Sequence, residues 1–186
     1  MKHRLPTLLF LSLILTGCPP WQTVQGTYTS SEYFEVKVPD GWRRYTHASE
    51  ELLITYDGVS LQRVSIDRRA IDKDLAHTKK KLAKGMLPQE ISEVIVDNIQ
   101  SNTGISNQQI LENTPATIGG VPGFKLIYTY QTNTGLKKQG AYYGFITGDW
   151  YYALIYEAPA RYYFAKDLPT FEQLKGSFKL LKKSGS

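Results

Sequence analysis

From Trp150 to Glu157 the chain is apolar on both faces of a two-residue repeat. Trp150, Tyr152, Leu154 and Tyr156 fall on one side, and Tyr151, Ala153 and Ile155 on the other. Successive side chains of a strand point to opposite faces, so this run has no side to turn toward water. It belongs in the middle of a sheet covered on both faces.

Its neighbours in sequence fit that place. Phe124 to Gln131 and Gln139 to Thr147 precede it, with Asn133-Thr134-Gly135 and Gly148-Asp149 as turns, which predicts consecutive antiparallel strands. Gln109 to Thr117 leads into them through Gly119-Gly120 and a Val121-Pro122-Gly123 turn. Upstream, Tyr33 to Val38 alternates, with Phe34, Val36 and Val38 on the buried side, and Pro39-Asp40-Gly41 ends it. Leu52 to Tyr56 and Leu61 to Asp67 flank Asp57-Gly58, a strong hairpin signal.

Three helices are expected. The first begins near Ile71, with Asp72 and Asp74 in its first turn and lysines late, as the helix dipole favours. The second starts at Pro88 and carries Ile91, Val94, Ile95 and Ile99 at helical spacing, with Asn102-Thr103-Gly104 as its stop. The third runs from Asp167 to Lys175 with Leu168, Phe171 and Leu174 on one side and Gly176 as C-terminal glycine. Phe178 and Leu180 then suggest an edge strand. Strands, helices, then strands and a helix predict one α+β domain built on one central antiparallel sheet. Trp150 is expected in its core, against the helix carrying Ile91 and Ile95.

The first residues have another purpose. Lys2, His3 and Arg4 are followed by Leu5 to Leu15, apolar apart from Pro6, Thr7 and Ser12. A bilayer span needs about 20 apolar residues, so this segment reads as a secretory signal. It ends in Leu15-Thr16-Gly17-Cys18, which resembles the bacterial lipobox. The resemblance implies cleavage between Gly17 and Cys18, a diacylglycerol on the Cys18 sulfur and an acyl group on its amine. Two or three acyl chains make a stable membrane anchor. Cys18 is the sole cysteine, so an internal disulfide is excluded. A secreted protein with a chance cysteine, or a core helix with a buried one, are the plainer readings of the same residues.

The resulting division is a removed signal at 1–17, a lipidated Cys18 and tether at 18–29, a domain at 30–182 and a tail at 183–186. The formal charge is +5, of which the signal holds two. The remainder is interspersed, which disfavours nucleic acid as a partner. Lys79, Lys80, Lys81 and Lys84 form the one dense cluster, either a solvated helix face or a patch for anionic lipid or polysaccharide. In sorted lipoproteins a residue such as Pro19, rather than aspartate, after the cysteine leans toward the outer membrane, at its periplasmic face.

The opening Phe34-Glu35-Val36-Lys37-Val38-Pro39-Asp40-Gly41-Trp42 resembles the start of domains in the PsbP-like (Mog/PsbP) superfamily. So do Gly119-Gly120-Val121-Pro122-Gly123-Phe124 before a long strand pair, and a closing helix running into Gly176-Ser177-Phe178-Lys179-Leu180. The resemblance covers roughly residues 30–182 and implies an α/β/α sandwich. Members of that superfamily mostly bind or stabilise other proteins, and none of their functional residues has a counterpart identifiable here.

Candidate chemistry is sparse. The mature chain has two histidines, His47 and His77, and no G-x-S-x-G elbow, so no catalytic residue is assigned. Asp72, Asp74 and His77 share a helical flank on the expected helix, without a second cluster to complete a metal site. Glu112 and Glu157 are the carboxylates a glycosidase would need to bring together. No metal is expected, and no cofactor beyond the covalent lipid. The aromatic run is the best binding candidate, and Arg161, Tyr162 and Tyr163, just past Pro159, are its candidate surface. The leading reading is a non-enzymatic lipoprotein that binds another envelope protein. A small-ligand or glycan carrier with an aromatic-lined pocket comes second, and a hydrolase is more distant.

Overall fold

The computed structural model describes residues 20–181; the signal, Gly17, Cys18 and residues 182–186 lie outside the described residues. Among the described residues eleven strands form two sheets, accompanied by two helices: β1 (Trp21–Thr23), β2 (Gly26–Ser30), β3 (Phe34–Val38), β4 (Arg43–Tyr45), β5 (Leu52–Thr55), β6 (Arg63–Ala70), α1 (Pro88–Gln100), β7 (Ile105–Ile118), β8 (Val121–Thr132), β9 (Lys137–Thr147), β10 (Trp150–Pro159), α2 (Tyr163–Ser177) and β11 (Lys179–Leu180). The large sheet is antiparallel with order β1-β4-β5-β6-β10-β9-β8-β7. This is the central antiparallel sheet expected from sequence; a second, three-stranded sheet β11-β3-β2, which was not expected, is added to it.

The run apolar on both faces, β10, lies between β6 and β9 in the large sheet. Its even-numbered side chains Tyr152, Leu154, Tyr156 and Ala158 join one core with Phe34, Val36 and Val38 of β3 and Phe164, Phe171 and Leu174 of α2. Tyr151 and Ala153, on the other face, join a second core with Ile91 and Ile95 of α1 and with Ile71, Leu75 and Leu82. Helix α2 and the small sheet therefore cover one side and α1 the other, giving a single-domain α+β sandwich.

Pro88 stands at the first position of α1, and the Leu87 N–H donates to Glu90 Oε2 at 2.7 Å, satisfying an otherwise orphaned donor. Gly119 and Gly120, at φ 57° and 82°, close the β7–β8 hairpin between the paired Ile118 and Val121. Positive φ at both central residues is what a two-residue hairpin loop with the sheet's own twist requires.

Several expectations are corrected. Residues 20–29, read as tether, carry β1 and β2. Val121, Pro122 and Gly123 belong to β8, paired with Ile118, Thr117 and Ala116. The register with β9 begins only at Phe124, so the missing N–H of Pro122 interrupts no ladder there. Helix α2 begins at Tyr163, a turn earlier than the sequence suggests, and contains Pro169. Gly176 sits inside its last turn and does not end it.

The largest difference is the stretch 71–87, which is irregular and not helical. The chain doubles back so that Leu82 N–H donates to Ile71 O at 3.0 Å and Leu75 N–H to Lys80 O at 2.8 Å. Three buried aliphatics, Ile71, Leu75 and Leu82, pin this loop to the second core. A helix would stack Lys80 and Lys84 at i,i+4, where like charges repel. The loop instead gives three of the four clustered lysines a carboxylate each: Lys80 to Asp97 at 2.9 Å, Lys81 to Asp74 at 3.7 Å and Lys84 to Asp149 at 3.0 Å.

Candidate functional site

The hairpin expected at Asp57-Gly58 forms, with Leu52, Leu53 and Ile54 paired to Ile66, Ser65 and Val64, but through a longer loop spanning 56–62. A buried glutamine sets its shape. Gln62 has no solvent exposure; its Oε1 accepts the Asp57 N–H at 3.1 Å, and its Nε2 donates to Asp57 Oδ2 at 3.0 Å and to Asp167 Oδ2 at 3.1 Å. Thr55 Oγ1 donates to the Gln62 carbonyl at 2.6 Å and accepts the Gly58 N–H at 3.0 Å. These bonds tie Thr55, Asp57 and Gly58 to Gln62, and Gln62 to Asp167, which restricts the loop.

The knot fastens the loop to α2, whose Lys166 Nζ lies 3.1 Å from Asp57 Oδ2 and 4.0 Å from Asp167 Oδ2. Hydrogen bonds from Gln62 and Lys166 hold the Asp57 carboxyl below its ordinary value, and the same Asp57 contact raises the Lys166 ammonium. Three tyrosine rings surround that ammonium, with centroids 5.3 Å away for Tyr163, 5.9 Å for Tyr56 and 6.0 Å for Tyr162. Tyr162 is 62% exposed and Tyr56 48% exposed. Tyr162 meets Tyr163 edge-on at 5.2 Å, and Tyr163 in turn packs on the first core. Tyr56 lies over Gly41, at φ 79°, where a Cβ would sit 2.6 Å from its ring; Trp42 is its other neighbour, at 6.4 Å.

The structure therefore brings Tyr162 and Tyr163 together with Tyr56 and Lys166, and leaves Arg161 exposed beside them. Sequence reasoning found the α2 half of this surface from Pro159 and the tyrosine pair. It missed Tyr56, Gln62 and Lys166, because Tyr56 read as a strand end and nothing local says which loop meets the start of α2.

Other candidates lie apart. Glu112 is paired with Ile127, whose side chain joins the first core, and is bound by Lys125 Nζ at 3.2 Å and Thr114 Oγ1 at 2.9 Å. Glu157 accepts the Tyr128 hydroxyl at 2.8 Å, and Tyr128 belongs to the second core. These two carboxylates face opposite sides of the sheet and cannot flank one bond. Asp72, Asp74 and His77 lie in the irregular loop, not along one helical flank; Asp74 pairs with Lys81 at 3.7 Å, and the His77 backbone N–H donates to Asn98 Oδ1 at 2.9 Å. Among the described residues no group of three acidic, histidine or cysteine side chains is placed to hold a metal.

Trp150 is also corrected. It is 38% exposed and stacks on Arg68, not on α1. Parity explains it: Trp150 shares the face of Tyr152 and Tyr156, which is the α2 side, while α1 covers the face of Tyr151 and Ala153.

No protein-family model matches the chain, and no curated protein matches its sequence. Solved structures do match. LpqN of Mycobacterium tuberculosis, a protein involved in cell envelope biogenesis, superposes with a TM-score of 0.58 at 16% identity, covering 87% of this chain and 91% of that one. Cyanobacterial PsbP from Synechocystis sp. PCC 6803 gives 0.55 at 12% identity, covering 91% and 97%. The Saccharomyces cerevisiae Ran-binding protein Mog1p gives 0.55 at 9% identity, covering 86% and 96%. The chain has the PsbP-like α+β fold.

Proposed function

We propose that this protein is a non-enzymatic lipoprotein of the cell envelope, lipid-anchored at Cys18, that binds another envelope protein through the Tyr56–Tyr162–Tyr163–Lys166 surface. The observation that carries the reading is that two large, exposed tyrosines stand on a loop and helix start locked together by buried Gln62. Tyrosine offers a wide apolar face and a polar tip with few rotatable bonds, and anchors of this type dominate binding energy at interfaces. Support that is already rigid lowers the entropy lost on association.

The anchor follows from the Leu15-Thr16-Gly17-Cys18 motif, and Pro19 favours the periplasmic face of the outer membrane. Among the described residues no helix is long and apolar enough to cross a membrane. The likeness to LpqN, itself involved in envelope biogenesis, is compatible with this setting. The test is a paired capture from detergent-solubilised envelope. The wild-type protein should retain a stoichiometric partner that a Tyr56→Ala, Tyr162→Ala double variant of unchanged melting temperature loses. A partner retained equally by the double variant places the interface elsewhere.

A further inference from the structure

A second feature lies where the two sheets meet at one end, away from the tyrosine surface. Arg68 of β6 is paired across the sheet with Tyr152 of β10, and its Nε donates to the Tyr152 hydroxyl at 3.1 Å. Its guanidinium carbon sits 3.2 Å from the Trp150 ring centroid and 3.6 Å from that of Tyr33, at the turn between β2 and β3. The cation is thus stacked between two aromatic faces and fixed along its Nε edge. These contacts wall a recess of about 410 Å³, with Glu32 and Thr147 also lining it. That volume lies within the range of small-molecule sites.

The other arginines of β6 are differently engaged. Arg63 is ion-paired with Glu50, and Arg69 donates to the carbonyls of Lys73 and Asp74, each at 2.6 Å. Arg68 makes no ion pair among the described residues. A guanidinium has five N–H donors in a fixed fork and no acceptor. The rings cover its two faces and Tyr152 takes one donor, so the terminal Nη groups keep their donors in the plane between the walls. Planar stacking of this kind sets the fork for two-point recognition of an oxyanion, which a flexible ammonium cannot reproduce.

We infer that this recess binds a small organic acid, its carboxylate held edge-on by the Arg68 guanidinium and its apolar body lying against Trp150. A carboxylate fits better than a dianionic phosphate ester because the Glu32 carboxylate lines the same recess and opposes a second negative charge. Partial exposure of the Trp150 indole, at 38%, is what an apolar ligand body would cover.

The test titrates the purified protein with benzoate, phenyl phosphate and neutral benzamide. Binding is followed by calorimetry and by the Arg68 Nε–H and Trp150 indole N–H resonances. Benzoate should saturate and move both signals. Benzamide, and benzoate with Arg68→Lys, should each bind at least about tenfold more weakly, the scale of one charge-assisted hydrogen-bond pair. The resonance shifts in the wild-type protein keep the test decisive if Arg68→Lys fails to fold. Failure of both anions to saturate, equal binding of benzamide, or unchanged affinity in Arg68→Lys overturns the inference. Tighter binding of phenyl phosphate than of benzoate overturns the choice of a carboxylate.

Discussion

Asp67 carries the clearest pH dependence in the fold. It sits on β6 opposite Ala153, and burial pushes its carboxyl up to about 6, with Glu50 and Glu157 adding to the shift and Arg63 and Arg69 opposing it. Between 3.8 and about 6 the native state keeps a proton that the unfolded chain has released. Stability from this group is therefore fully present at low pH and declines as pH rises through that window. Asp67→Asn should flatten this slope and raise stability at pH 7 by on the order of 1 kcal/mol, allowing for residual solvent screening. Thermal unfolding of both proteins across the window reads the difference. Trp150 gives a second test. Trp150→Ala loses stacking on Arg68 and should cost about 0.5–2 kcal/mol, whereas truncating the fully buried Tyr156 should cost about 3–5 kcal/mol. The two-residue alternation identified β10 and its burial. It could not say which layer covers which face, and that single parity choice moved Trp150 from the α1 side to the rim of the recess.

At the scale of elements, sequence periodicity worked where one amphipathic pattern met one partner. Helix α1 and strand β3 were legible because Ile91 and Ile95, or Phe34, Val36 and Val38, each face a single core. Periodicity failed at 71–87, where acids early and lysines late imitate a helix. Three buried aliphatics there hold a loop whose register is set by distant residues. The loop at 56–62 failed more subtly: Asp57-Gly58 marks a reversal, but Gln62 decides its length by turning inward to Asp57 and Asp167. Gln62→Ala leaves those groups without their buried partner and should cost about 1–3 kcal/mol. Amide exchange should quicken at 56–62 while β5 and β6 stay protected. Uniform quickening across the sheet would mean that Gln62 supports the whole core and not the loop.

At the scale of the whole molecule, the proposed lipid at Cys18 would tether the domain, and the proposed partner would meet it at the Tyr56–Tyr162 surface. Cys18→Ser should abolish lipid labelling and leave either unprocessed precursor or soluble protein; a cleaved variant still in the membrane fraction contradicts the anchor. The fold was recognisable from its opening, its central glycine turn and its closing helix. The surface was half visible, because Tyr56 and Tyr162 come from segments more than a hundred residues apart that only the folded sandwich brings together. The most direct test places a photo-crosslinking amino acid at Tyr162, and separately at Leu87, which is also exposed but stands at the start of α1 on the opposite face of the sheet. Irradiated in intact cells, the Tyr162 position should give one discrete protein adduct and the Leu87 position none. No adduct at Tyr162, or the same adducts at both positions, would contradict the claim that this surface binds an envelope protein.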